Sequence, residues 1–216
     1  MYVLQYCSLG ETEDSDAWYN KGVELGKLER HEEAIACFEE AIRLDPENPK
    51  AWWNIGITFV QQGKYEEVVA CFDKIIKFDP KISSSWNNKG TALLRLERHE
   101  EAVPCFEEAI RLDPEYSVAW NNKGSSLASL GRHEEALSCF EEAIRLDPEY
   151  SVAWYNKAIA LGELERHEEA IACYDEAIKL DPEYSDAWYN KGSSLASLER
   201  YEEAIACYEE VIRLDP

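Results

Sequence analysis

The sequence predicts an all-α fold, a solenoid of antiparallel helix pairs, and three observations carry that expectation. Tryptophan recurs every 34 residues, as Trp18, Trp52, Trp86, Trp120, Trp154 and Trp188. A second aromatic follows at the same interval: Phe38, Phe72, Phe106, Phe140, Tyr174 and Tyr208. Proline then closes each stretch, at Pro46, Pro80, Pro114, Pro148, Pro182 and Pro216. A fixed period of this size and content marks stacked helix pairs, none of which can bury its apolar face without neighbours.

In the first repeat, Trp18, Gly22, Leu25 and Leu28 recur at helical spacing and predict a helix from about Ser15 to Leu28. Ala34, Ile35, Phe38, Ala41, Ile42 and Leu44 predict a second. Asp45-Pro46 ends it, because proline disfavours a helical conformation for the residue before it. In the "DPEYS" linkers, Ser117, Ser151 and Ser185 stand where the next helix needs an N-cap. Acid-to-base pairs four apart, Glu39 with Arg43 and Glu141 with Arg145, should support the second helices, with the cation near the C-terminus. Pro104 cannot donate to the carbonyl of Glu100, so the second helix of the third repeat should kink or start late. No strand is expected. The organisation that follows is an N-terminal extension, 1–14, and six repeats, 15–48, 49–82, 83–116, 117–150, 151–184 and 185–216, forming one domain.

Acidic residues outnumber basic ones 44 to 22, a formal charge of −22. That excludes nucleic acid and anionic membrane surfaces as partners, since both need a cationic footprint. No apolar run approaches the roughly 20 residues of a membrane helix. The opening MYVLQYCSLG has no basic n-region and no small-residue cleavage site, so no signal peptide is expected. Seven cysteines without paired spacing suit a reducing, cytoplasmic setting.

Trp18, Gly22, Leu25, Ala34, Phe38 and Pro46, repeated in register, resemble the tetratricopeptide repeat motif over residues 15 to 216. There are departures. Lys21, Lys89, Lys123, Lys157 and Lys191 replace the usual leucine before the glycine, and Ala158 replaces the glycine itself. Residues 49–82 diverge most, with Val68 and Ile75 in place of alanine, and should pack slightly wider. The resemblance implies a right-handed superhelix whose first helices line a concave groove that binds extended peptides. It does not extend to the lysine–arginine–asparagine clamp for acidic tails, because asparagine stands in every repeat where the arginine would fall.

Two residues after each tryptophan, about 200° around the helix and so on its far side, stand Asn20, Asn54, Asn88, Asn122, Asn156 and Asn190. Ile57 and Arg95 share that side; beside it, one residue after the tryptophan, stand Tyr19, Trp53, Asn87, Asn121, Tyr155 and Tyr189. An amide offers both a donor and an acceptor and so matches a peptide bond without reading a side chain. The plainer alternative is that each asparagine bonds a neighbouring helix. The acidity lies elsewhere: four positions per second helix hold 23 of the 44 acids, which reads as a solvated outer face.

Cys37, Cys71, Cys105, Cys139, Cys173 and Cys207 form another ladder, read as small buried thiols. His31, His99, His133 and His167 lie six residues before a cysteine, about 240° around and about 9 Å along a helix, too far to share a metal. No catalytic residue, metal site or cofactor is expected. The functional expectation is a non-enzymatic scaffold that binds an extended segment of a protein partner. The alternative is a self-associating array, a homo-oligomer joined head to tail through Ile205, Tyr208, Ile212 and Leu214, which no later helix covers, and the apolar N-terminal residues 1 to 9, which alternatively cap their own first helix or enter a neighbour's groove.

Overall fold

The computed structural model describes residues 14–215, so the readings made for residues 1 to 9 lie outside the described residues. The described residues form twelve α-helices and no strand: α1 (Ser15–Lys27), α2 (His31–Leu44), α3 (Pro49–Gln61), α4 (Tyr65–Phe78), α5 (Ser83–Arg95), α6 (His99–Leu112), α7 (Ser117–Ser129), α8 (His133–Leu146), α9 (Ser151–Glu163), α10 (His167–Leu180), α11 (Ser185–Ser197) and α12 (Tyr201–Leu214). Odd-numbered helices are 13 residues long and even-numbered ones 14, paired as antiparallel hairpins. The chain divides into two compact bodies, Met1–Ala92 and Leu93–Pro216.

Each hairpin turns in the same way. The amide of Arg30 donates to the Leu25 carbonyl at 3.0 Å and that of Glu29 to Gly26, the double bond of a Schellman turn. The turn needs a left-handed residue, which is glycine at Gly63 and Gly131 but glutamate at Glu29, Glu97, Glu165 and Glu199, with φ between 57° and 59°. After each second helix from α2 to α10 the aspartate side chain accepts the amide two residues on, as in Asp45 with Glu47 at 3.2 Å. The next tryptophan then donates its indole N–H back to the proline carbonyl: Trp52 to Pro46 at 3.1 Å, Trp120 to Pro114 at 3.1 Å, Trp188 to Pro182 at 3.2 Å. The proline that stops one helix therefore also seats the next.

Two local expectations are corrected, and of the two outcomes expected at Pro104 one, the late start, is removed. Ser117, Ser151 and Ser185 are the first helical residues, and Tyr116, Tyr150 and Tyr184 hold the cap position with no side-chain bond. A linker turn, closed by the Tyr116 amide on the Asp113 carbonyl at 3.2 Å, brings the chain into the helix one residue early. True side-chain caps occur at Asp14 and Asn48, each accepting two backbone amides. The acid–base pairs form three apart: Arg43 meets Glu40 and Arg145 meets Glu142, both at 2.6 Å. Glu141 is taken instead by Lys157 of the following repeat at 3.0 Å. Finally, α6 starts at His99 like its counterparts, so Pro104 does not delay it. Pro104 is exposed, where water can reach the carbonyl it leaves free.

Packing inside the first, second, fourth and sixth hairpins is set by a glycine facing a ring. A Cβ on Gly22 would lie 2.6 Å from Phe38, and one on Gly124 2.6 Å from Phe140, well inside the usual contact of about 3.5–4.0 Å. At Gly56 the gap to Phe72 widens to 3.2 Å, in the repeat where looser packing is expected. In the first body Phe38 packs with Ile55 and Cys71, while Phe72 packs with Val68, Ile75 and Ala92. In the second, Leu127, Phe140, Leu161 and Tyr174 share one cluster, and Ile171 joins Leu195 and Cys207 in another. The six ladder cysteines are all buried.

Candidate functional site

The first helices carry the asparagines at one recurring position, and bonds between repeats orient them. In the first body, Asn54 Nδ2 donates to the Tyr19 hydroxyl at 3.2 Å and to the Lys50 carbonyl at 2.9 Å. In the second, Asn190 Nδ2 donates to the Tyr155 hydroxyl at 3.0 Å, and Asn156 Nδ2 to Asn121 Oδ1 at 2.9 Å. These bonds tie a first helix to the first helix before it. Among the described residues, no group donates to the Oδ1 atoms of Asn54, Asn156 and Asn190. Asn122 Oδ1 receives Asn121 Nδ2 at 3.4 Å. Asn20 is exposed and Asn88 half-buried. Around the amides the surface is apolar and open, with Ile57 39%, Val118 and Val152 each 37%, and Tyr189 55% exposed; Arg95 is exposed as well.

The position after the tryptophan behaves differently. Tyr19, Trp53, Tyr155 and Tyr189 each pack against the ring of their own second helix, with centroids 5.9, 5.2, 6.0 and 5.7 Å apart. Asn87 and Asn121 are buried at 4% and 3% exposure and leave the accessible face. Sequence reasoning set them beside it. Asn121 is covered from the linker, where the Tyr150 hydroxyl accepts from its Nδ2 at 3.5 Å. Such linker tyrosines are the residues that helix-face reasoning missed. Tyr184 stacks on Tyr155 at 4.7 Å, and burial, reinforced by Tyr155 and Asp186, pushes its phenol up to about 12. The signal was present in the repeated "DPEY".

On the opposite edge the lysines before the glycine pair across repeats. Lys89 meets Asp73 at 2.6 Å, Lys123 meets Glu107 at 3.0 Å, Lys157 meets Glu141 at 3.0 Å and Lys191 meets Asp175 at 2.5 Å. The ammonium groups of Lys89, Lys123 and Lys191 also lie over tryptophan rings, Lys191 at 5.5 Å from the Trp188 centroid. The histidines begin the second helices, with Nδ1 buried and no hydrogen-bond partner. Among the described residues no group of three or more His, Cys, Asp or Glu could hold a metal, and no helix is long and apolar enough to cross a membrane.

Helix hairpins of one length, joined by one kind of turn and stapled by one tryptophan–proline bond, define a helix-pair repeat protein. The chain belongs to the tetratricopeptide repeat family, whose models match residues 15–48, 49–82, 87–151 and 155–216. Among solved structures it is similar to YrrB, described as a TPR protein with an unusual peptide-binding site, at 28% identity and a TM-score of 0.71 over 83% of this chain and 92% of that one. PilF of Pseudomonas aeruginosa matches at 21% identity and a TM-score of 0.77, covering 94% of this chain and 92% of its own. MamA of Desulfovibrio magneticus RS-1 matches at 23% identity and a TM-score of 0.71, covering 77% and 94%. The last two are similar in fold alone. A search of curated proteins finds no match.

Proposed function

We propose that the chain is a non-enzymatic scaffold that holds an extended peptide segment of a partner protein along its asparagine face. The observation that carries this reading is the half-used amide. Asn54, Asn156 and Asn190 each spend the N–H side on the preceding repeat and keep the carbonyl oxygen free. Bonding to a neighbouring helix and bonding to a ligand are thus compatible, because the first bond orients the group for the second. An amide already held gives up little further rotamer freedom when a peptide N–H arrives. The similarity to YrrB, a peptide-binding relative by its description, supports the same reading. With repeats about 10 Å apart and about 3.3 Å per extended residue, each asparagine would meet about every third ligand residue. Decapeptides selected on the protein from a displayed random library provide the probe. Replacing Asn54, Asn156 and Asn190 by Ala should weaken the selected peptides at least tenfold with helicity unchanged. Affinity within twofold of the unsubstituted chain removes the asparagines from the mechanism.

A second reading, self-association, is favoured by one observation. Ile205 and Ile212 are 57% and 69% exposed on α12, with Tyr208 and Leu214 half-buried beside them. Sedimentation should show assembly that grows with concentration and disappears in an Ile205→Lys, Ile212→Lys variant. A monomer at high concentration defeats this reading.

A further inference from the structure

An outer cleft occurs at two corresponding places, bounded by the second helix of one repeat and both helices of the next, and the one that residues 49–82 help to form is chemically different. In the second body that cleft is polar. Lys123 spans it to Glu107, Arg132 bonds Glu135 at 2.7 Å on its rim, and Trp120, Leu127 and Cys139 form its floor. In the first body the corresponding floor is Trp52, Phe59 and Cys71, with Ile55 in the place of the lysine. The arginine becomes Lys64, whose ammonium lies over the Phe59 ring at 5.7 Å. Two carboxylates lose their partners by these exchanges. Glu39 occupies the position at which Asp73, Glu107, Glu141 and Asp175 each hold a lysine. Glu67 occupies the position at which Glu33, Glu101, Glu135, Glu169 and Glu203 each hold an arginine. Among the described residues, neither Glu39 nor Glu67 has a cation within ion-pair distance. Both line the same apolar cleft, of about 250 Å³.

We propose that this cleft, between α2, α3 and α4, is a second docking site, which takes one large apolar side chain of a partner protein flanked by lysine or arginine. The charge argument selects the flanks. Each unpaired glutamate lacks a cation that the equivalent glutamates draw from their own chain, and a partner supplies it. The size argument selects a side chain, since sites for whole small molecules run to roughly 300–1,000 Å³. The floor is chemically quiet: burial, with Glu67 adding to it, pushes the Cys71 thiol up to about 12, so it stays protonated and packs as an apolar group. The site is separate from the asparagine face. On α3, Asn54 and Ile57 point away from Phe59 and Ile55, about 100–160° around the axis. The chain's own N-terminal residues, MYVLQYCSLGETE, contain no lysine or arginine side chain to flank the apolar group.

The test uses three short peptides, Gly-Lys-Leu-Lys-Gly, Gly-Lys-Ala-Lys-Gly and Gly-Glu-Leu-Glu-Gly, titrated onto the full chain. Calorimetry and the Ile42 and Ile55 methyl NMR signals provide the readouts. The leucine peptide with lysines should bind at least tenfold more tightly than either control and should move both methyl signals. Ile55→Lys, which restores the residue other repeats carry, should weaken it at least tenfold without loss of helicity. Glu39→Gln with Glu67→Gln, two surface changes, should weaken it about fivefold and remove its salt dependence. Equal binding of the three peptides, or undiminished binding to both variants, overturns the proposal. So does an Ile42 signal that shifts with protein concentration alone, because a second copy would then fill the cleft.

Discussion

Helices α10 and α12 differ at four of their fourteen positions, yet they meet water very differently. Ile171 and Ile178 of α10 are 7% and 8% exposed, while the same residues of α12, Ile205 and Ile212, are 57% and 69% exposed. The sequences agree and the environments do not. Ile171 is buried in one cluster with Leu195 of the following repeat, and Ile178 in another with Ala187 of that repeat. In a helix-pair repeat, then, a residue type states what an interface could be, and the neighbouring repeat decides whether it exists.

Substitution of the isoleucines should show the largest effect. Ile171→Ala or Ile178→Ala should cost about 2–5 kcal/mol in urea unfolding, because each leaves a cavity in a closed interface. Ile205→Ala or Ile212→Ala should stay within about 0.5 kcal/mol, the usual scale of surface changes. Equal losses from the two helices would break the comparison and mean that α12 is covered in solution. A smaller effect should come from the glycines. Gly124→Ala forces a methyl against Phe140 in a closed hairpin and should destabilise by about 1–3 kcal/mol. Gly192→Ala meets Tyr208 at 2.8 Å, but that ring is half-exposed and free to shift, so the better helix propensity of alanine should cancel most of the cost. The naturally present Ala158, facing Tyr174, shows that a methyl fits once the surrounding repeat has adjusted. The smallest effect should be blind to position. Glu165→Gly and Glu199→Gly each relieve a left-handed backbone at φ 59° and should each stabilise by up to about 1 kcal/mol, after the greater freedom of unfolded glycine is subtracted. A gain at one turn and not the other would show that neighbours reach even this local term.

Much of the fold was legible because its determinants are local and periodic. The tryptophan, glycine, ring and proline positions are read along a single helix hairpin, and the helix bounds fall within a residue or two of expectation. The misses share one cause. The serine caps failed because the linker turn closes on Tyr116, Tyr150 and Tyr184, a matter of backbone geometry. The lysine–carboxylate bridges were invisible because their partners lie sixteen residues apart, on different helices. Asn121 was misplaced because a helical wheel shows a residue's angle and omits the linker folded over it. At the asparagines, the position was readable, but the fact that each amide is half-engaged could come only from coordinates.

The tryptophan–proline bond and the lysine bridge also bear on how such a chain can change its length. Every junction but the first, where Ile55 replaces the lysine, is built from one half at the end of a repeat, the proline carbonyl and the acid, and one half at the start of the next, the indole and the lysine. A recombination event that removes residues 117–150 would bring Pro114 before Trp154 and Glu107 before Lys157, halves of the same kinds that now face Trp120 and Lys123. The shortened gene would still encode complete junctions, and a duplicated segment would as well. Copy number can therefore drift by whole periods under selection for reach, with no junction having to be invented. The exception is the copy that carries Ile55, because wherever it is inserted it leaves the acid of the repeat before it without a lysine.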